Sequence, residues 1–151
     1  MSTGTVAGDM QVRACAFLHL GDATATAVRR AGITTVGLLG TAFTMEQDFY
    51  RDRLATHGLT VLVPDPHDRA EVHRVIYEEL VLGVVRAESR ATYRAVMDRL
   101  VTAGAEGIIL GCTEIELLVG QDDSDVPVFP TTRIHVEAAV DAALSTRILH
   151  A

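Results

Sequence analysis

Short apolar runs alternate along this chain with longer amphipathic stretches, and this alternation limits the possible folds more than any other feature. The apolar runs lie at residues 14–20, 35–39, 59–63, 106–111 and 126–129. Between them, apolar side chains recur at helical spacing, as in Val72, Val75, Ile76 and Leu80. Buried strands that alternate with helices are typical of a parallel sheet with helices on both faces. We therefore predict an α/β fold with three layers.

Capping residues and glycines set the predicted helix ends. Asp22 and Thr44 stand where N-caps belong, and Gln47 follows Thr44 at the capping-box distance. Gly32 and Gly104 follow the ends of helices, where a residue with positive φ is favoured. The predicted helices cover residues 22–31, 44–54, 68–85, 88–103, 113–118 and 131–146.

The charge pattern argues against several classes of function. The net charge is −7 and all thirteen basic residues are arginines, so a Schiff-base or phosphate-loop lysine is absent. An acidic chain without lysine clusters does not suit nucleic-acid binding. No apolar run approaches the roughly 18 residues of a membrane span, and the first ten residues lack the basic residues of a signal peptide. We expect a cytoplasmic protein with a flexible segment at residues 1–12 and one domain over residues 13–151.

The cysteines and histidines do not form a metal-binding pattern. Cys15 and Cys112 lie far apart, and no Cys-x-x-Cys is present. His67 and His73 are six positions apart, so they do not share a helix face as a pair four apart would. We predict no metal site, and we expect reduced cysteines in a cytosolic chain.

Three loops are expected where ligands bind to sheets of this kind, at the carboxyl ends of the strands. They are residues 40–41, 63–65 and 111–113. In the last loop, an apolar strand runs into Gly111 and Cys112 at the start of a short helix. Unpaired backbone N–H groups and the helix dipole would lower the pKa of a thiol there. Such a thiol can move a proton or attack a carbonyl, although a lone cysteine is often an inert core residue.

The loop after residues 35–39 has a related pattern. Gly40 would let a small substrate approach the backbone, and Thr41 and Thr44 supply hydroxyl groups near a helix start. The other interpretation is an ordinary strand-to-helix turn in which Thr44 only caps the helix. A nucleotide-binding fingerprint is not indicated, because the third glycine and the spacing are missing.

These motifs together resemble the second half of the aspartate/glutamate racemase family. The resemblance covers most of the chain from about Phe17 to Leu144. Its most specific part is the run GCTEI at residues 111–115. The other matching stretches are residues 17–24, 36–46, 63–65, 76–80 and 131–135, with Tyr50, Leu54 and Gly83.

The resemblance implies a fold, a reaction and a set of site residues. The fold is a flavodoxin-like sheet, one racemase domain with crossover segments, from a family in which two such domains enclose the active site. The reaction is racemisation of an acidic amino acid without a cofactor, by two cysteines on opposite faces of the substrate. Cys112 corresponds to the second cysteine, and Thr41 and Thr113 would bind the substrate. Thr44, Glu114 and His135 are further candidate substrate contacts, and Glu114 could instead orient Cys112 or cap its helix.

The chain also departs from the family pattern. The Cys-Asn-Thr run that holds the first cysteine is absent, because the sequence has no Asn, and Cys15 does not occupy its place. Pro130 stands where the family has an acid. The domain therefore resembles an N-terminally truncated racemase.

Three functions follow as hypotheses from this pattern. The first is a racemase of the aspartate/glutamate type, an isomerase. The second is a non-catalytic remnant, or a subunit that completes its site with a partner; the apolar side of the last helix (Ile134, Val136, Ala139, Val140, Leu144) favours a homo-oligomer. The third is a decarboxylase or isomerase of a small diacid with one thiol, since a lone thiol can protonate a carbanion.

Overall fold

The computed structural model describes residues 21–150, except for the side chains of Phe49 and of residues 146–150. The predicted flexible segment at residues 1–12, the predicted strand at residues 14–20 and Cys15 lie outside the described residues.

Helices and strands alternate through the described residues. Three short 3-10 turns lie at Leu80–Leu82, Thr113–Leu117 and Gln121–Asp123. The elements are α1 (residues 21–30), β1 (Thr35–Leu39), α2 (Ala42–Glu46), α3 (Asp48–Thr56), β2 (Thr60–Leu62), α4 (Pro66–Glu78), α5 (Ala87–Thr102), β3 (Gly107–Leu110), β4 (Val128–Pro130) and α6 (Thr131–His150).

The four strands form one parallel sheet in the order β2-β1-β3-β4. The last residues of the two central strands, Leu39 and Leu110, are paired in register. The strand order reverses direction between β1 and β3, and in open α/β sheets ligands bind at such a point. The predicted α/β fold with a parallel sheet is confirmed.

Alternate residues of the strands face opposite sides of the sheet, as expected for the period of two. Leu39, Ile108 and Leu110 pack on one side in a core that includes residues of α4 and α5. Leu38 and Ile109 pack on the other side with residues of α1 and α3. The sheet is therefore buried between two helical layers, as the apolar runs predict.

The predicted helix at residues 44–54 is two helices, and the prediction of Thr44 as its N-cap is wrong. Thr41 is the N-cap of α2, because its hydroxyl accepts the N–H of Thr44. Gln47, placed in a capping box by the sequence, instead ends α2 with an extended backbone and precedes α3. Thr44 is buried inside α2.

Two other helix boundaries also differ from the prediction. Asp22 lies inside α1 and is not its N-cap, because residue 21 is already helical. Its carboxylate binds Arg53 of α3 and His57, which follows α3. The long helix predicted at residues 68–85 ends at Glu78, and Gly83 then takes a positive φ of 78°. Gly32 and Gly104, after α1 and α5, have positive φ as predicted, and Gly58 after α3 also has positive φ.

One side of α6 is apolar and faces solvent in the described structure. Val136, Val140 and Leu144 are each about half exposed, at 54%, 51% and 53%. Ile134, nearer the start of the helix, packs against the core. None of the helices described in residues 21–150 combines the length and hydropathy needed to cross a membrane.

Candidate active site

The loops after β1 and β3 meet at the point where the strand order reverses. The N–H of Gly111 donates to the carbonyl of Leu39 over 2.7 Å, which extends the pairing of the two strands by one residue. The sequence predicts both loops at one edge of the sheet, and the structure brings them into direct contact. The third predicted loop lies farther along the edge, because β2 is on the far side of β1.

Two glycines make this close contact possible. A Cβ added at Gly40 would lie 3.0 Å from the Cβ of Thr44, and one added at Gly111 would lie 3.3 Å from the Cγ2 of Thr44. An added Cβ at Gly111 would also lie 3.1 Å from the carbonyl oxygen of Leu39. Thr44 therefore packs against both loops, and neither glycine has room for a larger residue.

The loop after β1 uses its polar groups within the protein. The Thr41 and Thr44 hydroxyls lie 3.2 Å apart, and the N–H of Ala42 donates to Nδ1 of His73 over 2.9 Å. Because Nδ1 accepts this bond, the ring proton of neutral His73 is on Nε2. Thr41 is partly exposed and Thr44 is buried, so Thr41 is the more accessible hydroxyl.

In the loop after β3, Cys112 is the N-cap residue of the 3-10 turn Thr113–Leu117, with an extended backbone. Its side chain is partly buried and packs against the core on the α4 and α5 side. The thiol donates to Oε2 of Glu114 over 2.8 Å. A thiol, a carboxylate and the start of a helical turn thus stand at the carboxyl end of a central strand.

Burial, together with the hydrogen bond and the negative charge of Glu114, raises the pKa of the Cys112 thiol to about 11. The backbone N–H groups of Glu114 and Ile115 act in the opposite direction, as expected from the sequence. They are outweighed, so the prediction of a lowered pKa is wrong. The physical reason is that the turn after Cys112 is a 3-10 segment of five residues, whose dipole is small, and that a carboxylate stands beside the sulfur.

The end of β4 adds a third group of hydroxyls to this edge. The Thr131 hydroxyl donates to the carbonyl of Leu110 over 3.0 Å and ties α6 to the end of β3. The Thr113 and Thr132 hydroxyls lie 2.9 Å apart. His135 is three residues after Thr132 in α6 and is partly buried, so it lies on the same side of that helix.

The structure thus brings together most of the predicted site residues at one edge of the sheet. Cys112 contacts Glu114, and Thr113 contacts Thr132 across to α6. Thr41 and Thr44 stand on the neighbouring loop. His135 lies on α6 beyond Thr132, and its role as a substrate contact stays a prediction.

His73 is a part of this region that the sequence does not reveal. Its bond to Ala42 joins residues 31 positions apart, and no local motif marks such a contact. Its ring also packs against Tyr77 with centroids 4.6 Å apart. His73 therefore fixes the loop that carries Thr41.

The loop after β2 serves a different purpose. The Asp65 side chain accepts the N–H of Asp68 over 2.8 Å and is the N-cap of α4. One carboxylate oxygen each of Asp65 and Asp68 and one ring nitrogen of His67 lie within 4.8 Å of one another, and such atoms can bind a metal ion. However, the guanidinium of Arg99 binds both carboxylate oxygens of Asp68 at 2.7 and 2.9 Å. The cluster is explained by a helix cap and an ion pair.

Comparison with known proteins identifies the family of this chain. Residues 10–139 match the family described as Asp/Glu/Hydantoin racemase. The chain is also 39% identical over 101 residues to the uncharacterized protein in the pnlA 3′ region of Pectobacterium carotovorum subsp. carotovorum, an alignment that covers 67% of this chain and 66% of that protein.

Solved structures of racemase relatives have the same fold. A candidate Asp/Glu racemase from Yersinia pestis is 55% identical, with a TM-score of 0.81, over 84% of this chain and 56% of that one. An aspartate racemase homologue from Pyrococcus horikoshii OT3 is 37% identical, with a TM-score of 0.76, over 82% and 54%. The aspartate racemase of Picrophilus torridus, 22% identical with a TM-score of 0.67 over 82% and 51%, supports the fold alone. This chain spans about half the length of each structure.

Proposed function

The chain belongs to the Asp/Glu/Hydantoin racemase family, and we propose that it transfers a proton at the α-carbon of an acidic amino acid without a cofactor. In this proposal Cys112 is the acid/base group. The observation that carries the proposal is the position of its thiol, at the carboxyl end of β3, next to a carboxylate and beside the loop of Thr41.

The chemistry of the thiol suits this step. With a pKa of about 11, Cys112 is a thiol at neutral pH and can give its proton to a carbanion. The thiolate left behind is a strong base, which can take the α-proton in the reverse direction. Each transfer breaks one S–H or C–H bond and forms the other, so no oxidant or reductant is required.

The hydroxyl groups around Cys112 suit an anionic substrate. Thr41 and Thr113 are partly or fully exposed and can turn their O–H groups toward a carboxylate. Thr44 and His135 are further candidates, Thr44 through its contact with Thr41 and His135 through its position on α6. The chain has no lysine, and in this proposal the exposed hydroxyls and nearby backbone N–H groups bind the substrate carboxylate.

A second candidate function is that of a subunit whose site is completed by another chain. Inversion requires a proton-transfer group on each face of the α-carbon, whereas Cys112 alone serves one face. The chain spans about half of its solved relatives, and the exposed apolar side of α6 at Val136, Val140 and Leu144 could be covered by a partner. A single thiol would still exchange the α-proton of one enantiomer.

Optical rotation tests the proposal. L- and D-aspartate, L- and D-glutamate, and a 5-substituted hydantoin would each be incubated with the wild-type protein, Cys112→Ser and the matched control Cys15→Ser. We expect rotation to be lost with the wild-type protein and with Cys15→Ser where a second proton-transfer group completes the site, and the rate to fall about 10²- to 10⁴-fold in Cys112→Ser. Equal rates in Cys112→Ser and the wild-type protein would exclude Cys112 as the acid/base group.

The oligomeric state separates the two candidates. Sedimentation of the active preparation would show whether activity belongs to a monomer or to an assembly. Activity that falls with dilution, in parallel with dissociation, supports a shared site. Full activity in a monomer excludes it.

A further inference from the structure

We propose that Glu114 is a positioning residue that holds Cys112 in its protonated form and directs its S–H bond. This inference rests on the proposed function, since it assigns a task to the neighbour of the proposed acid/base thiol. The sequence leaves three roles open for Glu114, which are substrate contact, orienting the thiol and capping the helix. The inference selects the second.

The hydrogen bond between these residues has only one direction. An ionised carboxylate accepts and cannot donate, so the 2.8 Å contact requires the proton to be on the sulfur of Cys112. Both residues lie in the same short loop, two positions apart, and Glu114 is partly buried. The bond therefore fixes the rotamer of the thiol as well as its proton.

Within residues 21–150, no arginine pairs with the carboxylate of Glu114, in contrast to several other carboxylates. Asp22 and Asp68 each bind an arginine through both oxygens. Glu116, in the same 3-10 turn, lies 3.6 Å from Arg133. Among the ion pairs formed within residues 21–150, none includes Glu114. Its negative charge thus acts directly on the sulfur.

The effect on proton transfer follows from this charge. When Cys112 gives its proton to a substrate carbanion, the S–H bond breaks, the Cα–H bond forms, and a thiolate remains 2.8 Å from a carboxylate. Repulsion between the two anions makes that thiolate more basic. In the reverse step the thiolate takes the α-proton, and the S–H bond to Glu114 forms again. Glu114 accepts the S–H bond of the resting thiol but neither gives nor takes a proton in either step, so its role is to position the thiol.

Alkylation of the thiol tests this inference without a substrate. In a Cys15→Ser background, the rate of Cys112 alkylation by iodoacetamide would be measured against pH for the parent, Glu114→Gln and the matched control Glu116→Gln. We expect a midpoint at about pH 11 in the parent and in the control. In Glu114→Gln we expect a midpoint at least about one unit lower, which raises the rate near neutral pH by about tenfold.

Glu114→Asp keeps the charge and provides a second variant if Glu114→Gln does not fold. We expect its midpoint to remain above the ordinary cysteine value of about 8.5. An unchanged midpoint in folded Glu114→Gln, or a midpoint at the ordinary value in Glu114→Asp, would overturn the inference.

The pH profile of the reaction tests the catalytic part separately. The alkaline limb of kcat, where Cys112 loses its proton, should move down in Glu114→Gln by the same amount as the alkylation midpoint. A limb that does not move overturns the catalytic role of Glu114, even if the alkylation result holds. A protein with shifted alkylation but no turnover of any substrate contradicts the proposed function and leaves the coupling of Cys112 to Glu114 established.

Discussion

The loops after β1 and β3 meet at the same point of the sheet, yet they differ in how their polar groups are used. In the β1 loop, Thr41 caps α2, and His73 accepts the N–H of Ala42. In the β3 loop, the thiol of Cys112 and the carboxylate of Glu114 bind each other.

We interpret the β1 loop as structural and, under the proposed function, the β3 loop as the reactive one. The β1 loop is held by bonds to its own helix and to α4, and it positions Thr41. In the proposed function, Cys112 of the β3 loop gives and takes a proton while Glu114 holds its side chain in place. The two share Thr44 as a packing contact, so the reactive loop depends on the geometry of the structural one.

The largest stability effect is expected at the two glycines. Gly40→Ala and Gly111→Ala should each lower the free energy of unfolding by about 1–3 kcal/mol, because the new Cβ would crowd Thr44 or Leu39. Urea unfolding followed by circular dichroism measures this change.

Thr44→Gly distinguishes the two glycines, because it removes both the Cβ and the methyl of Thr44. Combined with Gly111→Ala it leaves the carbonyl of Leu39 at 3.1 Å, so little of the stability lost at Gly111 should return. Combined with Gly40→Ala it removes the atoms at 3.0 and 3.1 Å, and we expect a clear partial recovery relative to Thr44→Gly alone. Equal recovery in both combinations would show that Thr44 is not the obstacle at Gly40.

A smaller loss of stability is expected when the N-cap of α2 in the β1 loop is removed. Thr41→Ala should cost about 1 kcal/mol of unfolding free energy, because the N–H of Thr44 loses its acceptor. Thr41→Ser keeps the hydroxyl and should remain near the wild-type stability. If both variants lose the same stability, the threonine methyl and not the cap is responsible.

A similar cost is expected at His73. His73→Ala leaves the N–H of Ala42 without its acceptor and should cost about 1 kcal/mol. The amide exchange of Ala42 in deuterated water should also become faster, which NMR can follow. Unchanged exchange would mean that the bond contributes nothing to holding the β1 loop.

The smallest effect is expected in the β3 loop. Thr113 is exposed, and its hydroxyl contacts Thr132 at 2.9 Å. Thr113→Ala should change the unfolding free energy by no more than about 0.5 kcal/mol, so any loss of substrate affinity can be separated from folding. A loss as large as that of Thr41→Ala would erase the distinction between the two loops.

The sequence predicts the fold well because the apolar runs and glycines act locally. The buried strands and the positive φ of Gly32 and Gly104 follow from neighbouring residues alone. The position of Cys112 at a strand end is predicted in the same way.

The details of the site depend on contacts that no local pattern contains. Thr41 and Thr44 are three positions apart, and either can cap a helix. Only the observed start of α2 at Ala42 identifies Thr41 as the cap. The raised pKa of Cys112 depends on the depth of its burial and on the orientation of Glu114. The bond from Ala42 to His73 requires α4 to lie beside the β1 loop.

Exchange of the α-proton with solvent tests the role of Cys112 most directly, since it does not require inversion. L- and D-aspartate and glutamate would be incubated in deuterated water with the wild-type protein, Cys15→Ser and Cys112→Ser, and α-deuterium would be counted by mass spectrometry. We predict incorporation into at least one enantiomer by the first two proteins and none above background by Cys112→Ser. No incorporation by the wild-type protein, or equal incorporation by Cys112→Ser, would contradict the assignment of Cys112 as the group that moves the proton.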